Sequence, residues 1–288
     1  LIIYEAIDPL AKSERVYRYK VFWTTFNNGG GSFMKVGICT GIENIKKMEA
    51  IGFDYIEPSV VSIAKMSDEE FEAAVKLVQG SSIKCEAFNV LFPGNVRLTG
   101  PEVDEKAIED YLKTAFSRVS QLGARVIVFG SGGARRIPDG WSREEGWKQL
   151  VRVARIAGDV AAEYGLTVAM EPLNTWETNI LNSVGEGVDF VRDVNHSHVK
   201  LLADFYHMRR GNEDMDVLLG ASLYLAHLHI ANSNGRVCPL ERTEDIYDIF
   251  FERLKEIGYR GRISIEAGVK DVDREGPVAI ALLKELSK

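Results

Sequence analysis

Cysteine is scarce in this 288-residue chain: Cys39, Cys85 and Cys238 are an odd, scattered set with no Cys-x-x-Cys spacing. That argues against a disulfide framework and a thiolate zinc or redox site, and leaves buried thiols in a reducing compartment as the expectation. Basic charge is in the minority, with 35 Lys and Arg against 42 Asp and Glu and a net charge of −7. Phosphate neutralisation dominates nucleic-acid affinity and needs a basic stripe, so no nucleic-acid partner is expected. Long apolar runs are missing too. Nothing approaches the roughly 18 consecutive apolar residues that span a bilayer, and no basic segment with an apolar core and cleavage site opens the chain. A cytoplasmic protein without a membrane partner is expected. What is present is a full-sized core, with 45% hydrophobic and 27% charged residues, as in ordinary globular domains.

Residues 1–33 differ from the rest. They show no clear core periodicity and end in Asn27-Asn-Gly-Gly-Gly-Ser-Phe33 just before Met34. Two adjacent glycine codons can read GGAGGT, a bacterial ribosome-binding sequence, a few codons upstream of that methionine. Met34 is therefore expected to be the physiological start and 1–33 an N-terminal extension; the other reading is an arm on a Gly-Ser linker. Residues 34–288 match the roughly 250 residues of a (β/α)8 barrel.

Within 34–288, eight strand-like runs alternate with amphipathic segments: 35–39, 55–57, 83–88, 126–129, 167–170, 199–203, 225–230 and 262–266. Apolar residues at three- and four-residue steps predict helices over 68–79, 104–122, 142–164 and 243–257. Ser67-Asp-Glu-Glu70 is a capping-box pattern, and Gly52, Gly123, Gly165 and Gly258 stand as C-terminal stops. Strict alternation means parallel strands with helical crossovers. Eight units in one domain's length favour a single closed TIM barrel, and no Gly-x-Gly-x-x-Gly follows the first strand to make an open dinucleotide-binding sheet.

Active sites of such barrels are built at the C-terminal strand ends. Four consecutive strands end in metal-competent residues: Glu171, Asp204, His229 and Glu266. Any one carboxylate can be merely solvated or cap a helix, but three gathered at one point without a cation would be costly. The set is hard and oxygen-rich and suits one divalent ion, Mn²⁺ first, or Mg²⁺ or Co²⁺. His227 and His229 alternate with Leu228, so both face the barrel interior, with His229 as ligand and His227 a layer deeper as its hydrogen-bonded support or a core residue. His196 and His198 lie in a polar loop and are expected to be solvated. Phe88, Trp141, Trp176 and Tyr206 either wall the pocket or pack between loops and helices. Ser131-Gly132-Gly133 offers backbone donors to an anion.

Glu171-Pro-Leu-Asn-Thr-Trp-Glu177, Asp204-Phe-Tyr-His207-Met, His227-Leu-His229 followed by Ser233-Asn234, and Ile265-Glu266 together resemble the signatures of ketose 3-epimerases of the D-tagatose/D-psicose type, members of the xylose-isomerase-like barrels. The resemblance covers essentially 34–288. It implies Glu171, Asp204, His229 and Glu266 as metal ligands, Glu171 and Glu266 as the acid/base pair, Glu177 and His207 on substrate hydroxyls, no organic cofactor, and a homodimer or homotetramer. The chemistry agrees: inverting a carbon beside a ketone takes a proton from one face and returns one to the other, with negative charge held on the carbonyl oxygen in between. Where related epimerases show Ser-Asn-Arg-Arg, this chain has Ser233-Asn-Gly-Arg236, so Arg236 contacts substrate only if its loop shifts by one residue. Arginines at 135–136 and 209–210 are either solvated or provide a fork for a carboxylate or phosphate, the latter pointing to keto-sugar acids of the 5-keto-gluconate type. The rival readings are an aldose-ketose or hydroxypyruvate isomerase or an inosose dehydratase on the same barrel. A non-catalytic sugar-binding protein and an apurinic endonuclease fit less well, the latter for want of histidines and basic charge.

Overall fold

The structure, a computed structural model, describes residues 34–288; the reading of 1–33 as an extension lies outside the described residues. Among those described, nine strands appear: β1 (Lys35–Cys39), β2 (Tyr55–Glu57), β3 (Lys84–Cys85), β4 (Ala87–Phe88), β5 (Val126–Phe129), β6 (Thr167–Met170), β7 (Val199–Asp204), β8 (Leu225–Ile230) and β9 (Arg262–Ile265). The pairings are parallel, in the order β3-β2-β1-β9-β8-β7-β6-β5-β4. The two ends of that order are consecutive in the chain, so the sheet curls into a nearly closed barrel with helices outside.

The single strand expected over 83–88 is therefore two half-strands, divided at Glu86. Side chains alternate faces along an unbroken strand, which would put Cys85 and Ala87 on the same side. Instead Cys85 pairs with Ile56 in the outer layer, whereas Ala87 pairs with Val126 inside the barrel. One extra residue at Glu86 switches the parity. Its carboxylate accepts from Lys35 Nζ at 2.6 Å and Arg262 Nε at 2.7 Å, joining the break to the starts of β1 and β9.

The core has two layers. Tyr55, Ala87, Val126, Val128, Ala169 and Leu202 form a small cluster inside the barrel, and a much larger set lies between strands and helices. Gly37 is required inside, because a Cβ there would overlap the Tyr55 ring. The helices Asp68–Gln79, Glu105–Gln121 and Arg143–Glu163 match their expected spans within a residue, and Ser67 and Glu70 make the reciprocal capping box. The last expected helix starts late, at Tyr247 rather than near Thr243. Asp245 is the cause: its carboxylate accepts from the Ser233 amide at 3.0 Å and Arg209 Nε at 2.8 Å, and its backbone is extended, with φ −153°. Among the described residues no helix is long and apolar enough to cross a membrane.

Candidate active site

Strand parity assembles the site. The positions that face inward in β2, β6, β7, β8 and β9 are Tyr55, Ala169, Leu202, His227 and Ser264; two residues further on, the same faces carry Glu57, Glu171, Asp204, His229 and Glu266. One ligand-competent atom from each of Glu171, Asp204, His229 and Glu266 lies within 4.8 Å of the others. The structure thus brings together the four residues expected to hold a metal. His229 sits between two acid groups, its Nδ1 at 3.1 Å from Glu171 and 3.8 Å from Glu266.

The donor set fits a divalent cation. Asp204 caps the short helix Phe205–Arg210 with one oxygen, accepting the Tyr206 amide at 2.7 Å. Its other oxygen, Oδ2, is buried without a hydrogen-bond partner and faces the cluster. A buried carboxylate oxygen left unsatisfied is costly unless a cation completes it. Burial disfavours charge on His229, yet Glu57, Glu266 and Glu171 raise its pKa well above the ordinary range, so a proton stands where positive charge is demanded. Burial likewise lifts Glu266 well above the usual carboxylate range, with Glu171 and Asp204 reinforcing it against His229 and Arg236. Glu171 moves the other way: burial opposes its ionisation, but the hydrogen bond and charge of His229, backed by His207 and Arg135, hold it low.

Sequence reasoning missed Glu57. This fully buried carboxylate accepts from His229 Nε2 and His227 Nε2, each at 2.8 Å, and from the Ser264 hydroxyl. With Nε2–H committed to Glu57, Nδ1 is the ring nitrogen that faces the carboxylates and that a cation would take in place of the proton. His227 lies one layer deeper, as expected. Glu57 was visible in principle, as an acid at an inward position of a strand otherwise bound for the core.

Asn174 was missed as well, and it organises the loop that carries Glu177. Its backbone N–H and side-chain amide both donate to His207 Nδ1, at 3.2 and 2.9 Å. His207 is therefore protonated on Nε2, which is buried without a partner, 3.5 Å from Asp204 Oδ2. The Asn174 amide also donates to Glu177 at 3.0 Å. Gly130 and Gly132 leave room for this loop: a Cβ on Gly130 would overlap the Glu171 carboxylate, and one on Gly132 would lie 2.9 Å from the Glu177 carbonyl.

Arg236 does reach the mouth. Gly235 and Arg236 adopt φ of +94° and +51°, a left-handed turn that swings the guanidinium 3.3 Å from Glu177 and onto Glu266, 4.7 Å above the Tyr206 ring. The other arginines are committed differently. Arg135 is fully buried and donates to the Phe129 and Leu181 carbonyls, each at 3.3 Å, so it supports the loops and cannot serve as a solvated anion fork. Arg209 pairs with Asp245, and Arg210 lies 4.4 Å over the Trp176 ring. Phe88 belongs to the outer core and Trp141 donates to Gln149 at 3.1 Å, away from the cluster. His196 and His198 are half-buried rather than solvated: His196 pairs with Asp159 at 3.2 Å and His198 Nδ1 bonds the Leu166 carbonyl at 2.6 Å. Cys39, Cys85 and Cys238 are free thiols.

The barrel and its carboxylate-imidazole mouth define the class, and sequence comparison gives the same answer. The model of the xylose isomerase-like TIM barrel family matches residues 45–286, and the chain belongs to that family. It is an enzyme of the carbohydrate-epimerase kind. An L-ribulose 3-epimerase of Methylomonas sp. (strain DH-1) is 30% identical over 224 residues, covering 75% of this chain and 74% of the relative. A 3-dehydro-D-guloside 4-epimerase of Escherichia coli (strain K12) is 30% identical over 120 residues, 41% of this chain and 45% of the relative. The crystal structure of D-psicose 3-epimerase with D-tagatose from Clostridium cellulolyticum H10 superposes with a TM-score of 0.78 at 23% identity, covering 88% of this chain and all (100%) of that one.

Proposed function

We propose that this chain inverts the carbon next to the ketone of a ketose or keto-sugar acid, using one divalent metal ion, Mn²⁺ in the first instance, and two glutamates. The observation that carries this reading is the meeting of Glu171, Asp204, His229 and Glu266 within 4.8 Å, with Glu266 pushed toward its protonated form and Glu171 toward its ionised one. Opposite protonation of two carboxyls at one site is what a two-base exchange needs. The relatives invert different carbons, C3 in one case and C4 of a 3-dehydro sugar in the other. Each is a neighbour of the ketone, so the same chemistry serves both.

Glu171, Asp204, His229 and Glu266 would hold the ion. When bound, it supplies positive charge against the oxyanion that develops at the ketone. The chain's own groups do the rest. The ionised glutamate removes the proton from the carbon on its face, and the protonated one delivers a proton to the opposite face. His207 presents its Nε2–H to a substrate oxygen, and Glu177, held by Asn174 and Arg236, accepts from a hydroxyl. Arg236 bridges Glu177 and Glu266 and so ties the hydroxyl-binding side to the proton-transferring side.

Metal-loaded protein incubated in D₂O with neutral ketopentoses, ketohexoses and keto-hexonates is expected to place deuterium beside the ketone with inverted configuration, read by NMR, and chelation with EDTA should stop it. Protein that retains Mn²⁺ yet exchanges no sugar in the panel would sink the reading. Gly130→Ala is a finer test. The added methyl meets the Glu171 carboxylate, and a misplacement of that size costs about 10²-fold in rate, whereas the unfolding midpoint should barely move. An unchanged rate would show that Glu171 need not sit where it does.

A further inference from the structure

Beside this centre lies a cavity of about 450 Å³ that the reaction at the ketone does not use. It forms where segment 97–102 docks on the short helix Gly132–Arg135: the Leu98 amide donates to the Ala134 carbonyl at 3.0 Å and the Thr99 hydroxyl to the Arg136 carbonyl at 2.9 Å. The corner after β5 connects it to the site. Gly130 backs the Glu171 carboxylate, Gly132 abuts the Glu177 carbonyl, and Gly133 lines the cavity, with open space where its side chain would be. Three Cα steps span at most about 11 Å. Arg136, another lining residue, donates from Nη2 to the carbonyl of Trp176 at 3.2 Å, the residue before Glu177.

The lining states what the cavity takes. Its two cations, Arg97 and Arg136, are balanced by two carboxylates, Glu102 and Asp139, and Pro138 and Ile137 supply apolar surface. A carboxylate or phosphate ligand would meet two like charges, and a purely apolar one would strip water from four ions without replacing it. A sugar ring satisfies both demands: its hydroxyls donate to carboxylates and accept from guanidinium N–H groups, and its C–H face packs on proline and isoleucine.

We propose that this cavity is a subsite for a second, uncharged sugar ring, so that the preferred substrate is a keto sugar bearing a glycosyl group. The proposal rests on the sugar-epimerase reading for the reacting ring only. Gly133→Leu is the test variant, since Gly133 lines the cavity and a Cβ there has no other atom within 4 Å; an unchanged unfolding midpoint checks that the variant is folded. The probes are D-fructose and methyl 3-keto-glucoside, against isomaltulose, maltulose and methyl 3-keto-maltoside, which add a glucosyl ring. Binding is read by ligand-observed NMR and turnover by deuterium exchange, both on metal-loaded protein.

At least one glucosylated probe should bind roughly tenfold more tightly than its smaller counterpart, and Gly133→Leu should remove that advantage while leaving the smaller probe unchanged. No advantage for any glucosylated probe, or an advantage that survives Gly133→Leu, overturns the subsite. The two readings fail separately. Tight, Gly133-sensitive binding with no exchange in any probe supports the subsite and rejects the epimerase; exchange without a glycosyl advantage supports the epimerase and rejects the subsite.

Discussion

Epimerisation is expected to fall by about 10²–10⁴-fold in both Glu266→Gln and Glu171→Gln, but the two variants should fail in opposite ways. Glutamine keeps a carbonyl oxygen for a cation and loses the ability to take up or give a proton, so metal retention and proton transfer come apart. If each glutamate serves one face, each variant still deprotonates one of the two epimers. Glu266→Gln should wash deuterium into one epimer without inverting it, and Glu171→Gln into the other. Glu171 and Glu266 stand just past the ends of different strands, β6 and β9, on either side of Asp204 and His229, and that separation around the mouth is the reason for a division of labour. Identical exchange of both epimers by both variants would remove the two-glutamate assignment, even with the metal bound.

The second large effect is expected from Glu57→Gln. Glu57 is a buried anion whose burial penalty is outweighed by His229 and His227, which hold it far below the usual carboxylate range. Removing the charge leaves two buried imidazoles with one amide to share. Breaking a buried, hydrogen-bonded pair costs on the order of 3 kcal/mol, and losing the carboxylate behind a metal-binding histidine lowers metal affinity by about 10–100-fold. Chemical denaturation checks the first and Mn²⁺ titration calorimetry the second. Wild-type metal affinity in the variant would mean that Glu57 serves the core alone.

Much of this site is legible in the sequence because a strand's side chains alternate. Once 199–203 and 225–230 are recognised as strands, the inward positions of Asp204 and His229 follow, and so does the deeper place of His227. Glu57 obeyed the same rule but was overlooked, since Tyr55-Ile-Glu57 is short and its acid has no partner nearby in sequence. Features that depend on loops were out of reach. The approach of Arg236 is set by two consecutive left-handed residues, and Arg135 is held by the nearby Phe129 carbonyl together with that of Leu181, 46 residues on. Glu86 hid for the opposite reason: Lys84-Cys-Glu-Ala-Phe88 alternates well enough to read as one strand, and only the pairing with Val126 exposes the extra residue.

That extra residue divides the barrel wall into unequal halves. On one side β3 and β4 hold two residues each, whereas β6 to β9 run in longer registered ladders. Local opening draws on the free energy of the bonds it breaks, so the wall should breathe first along the Glu86 seam. Glu171, Asp204, His229 and Glu266 all sit on or directly after the four strands opposite it in the ladder. The barrel is therefore expected to loosen and exchange its amide protons first along that side, while the four residues of the cluster ride on the longer ladders; Glu57, on β2 beside the seam, is the point through which such yielding would reach His229.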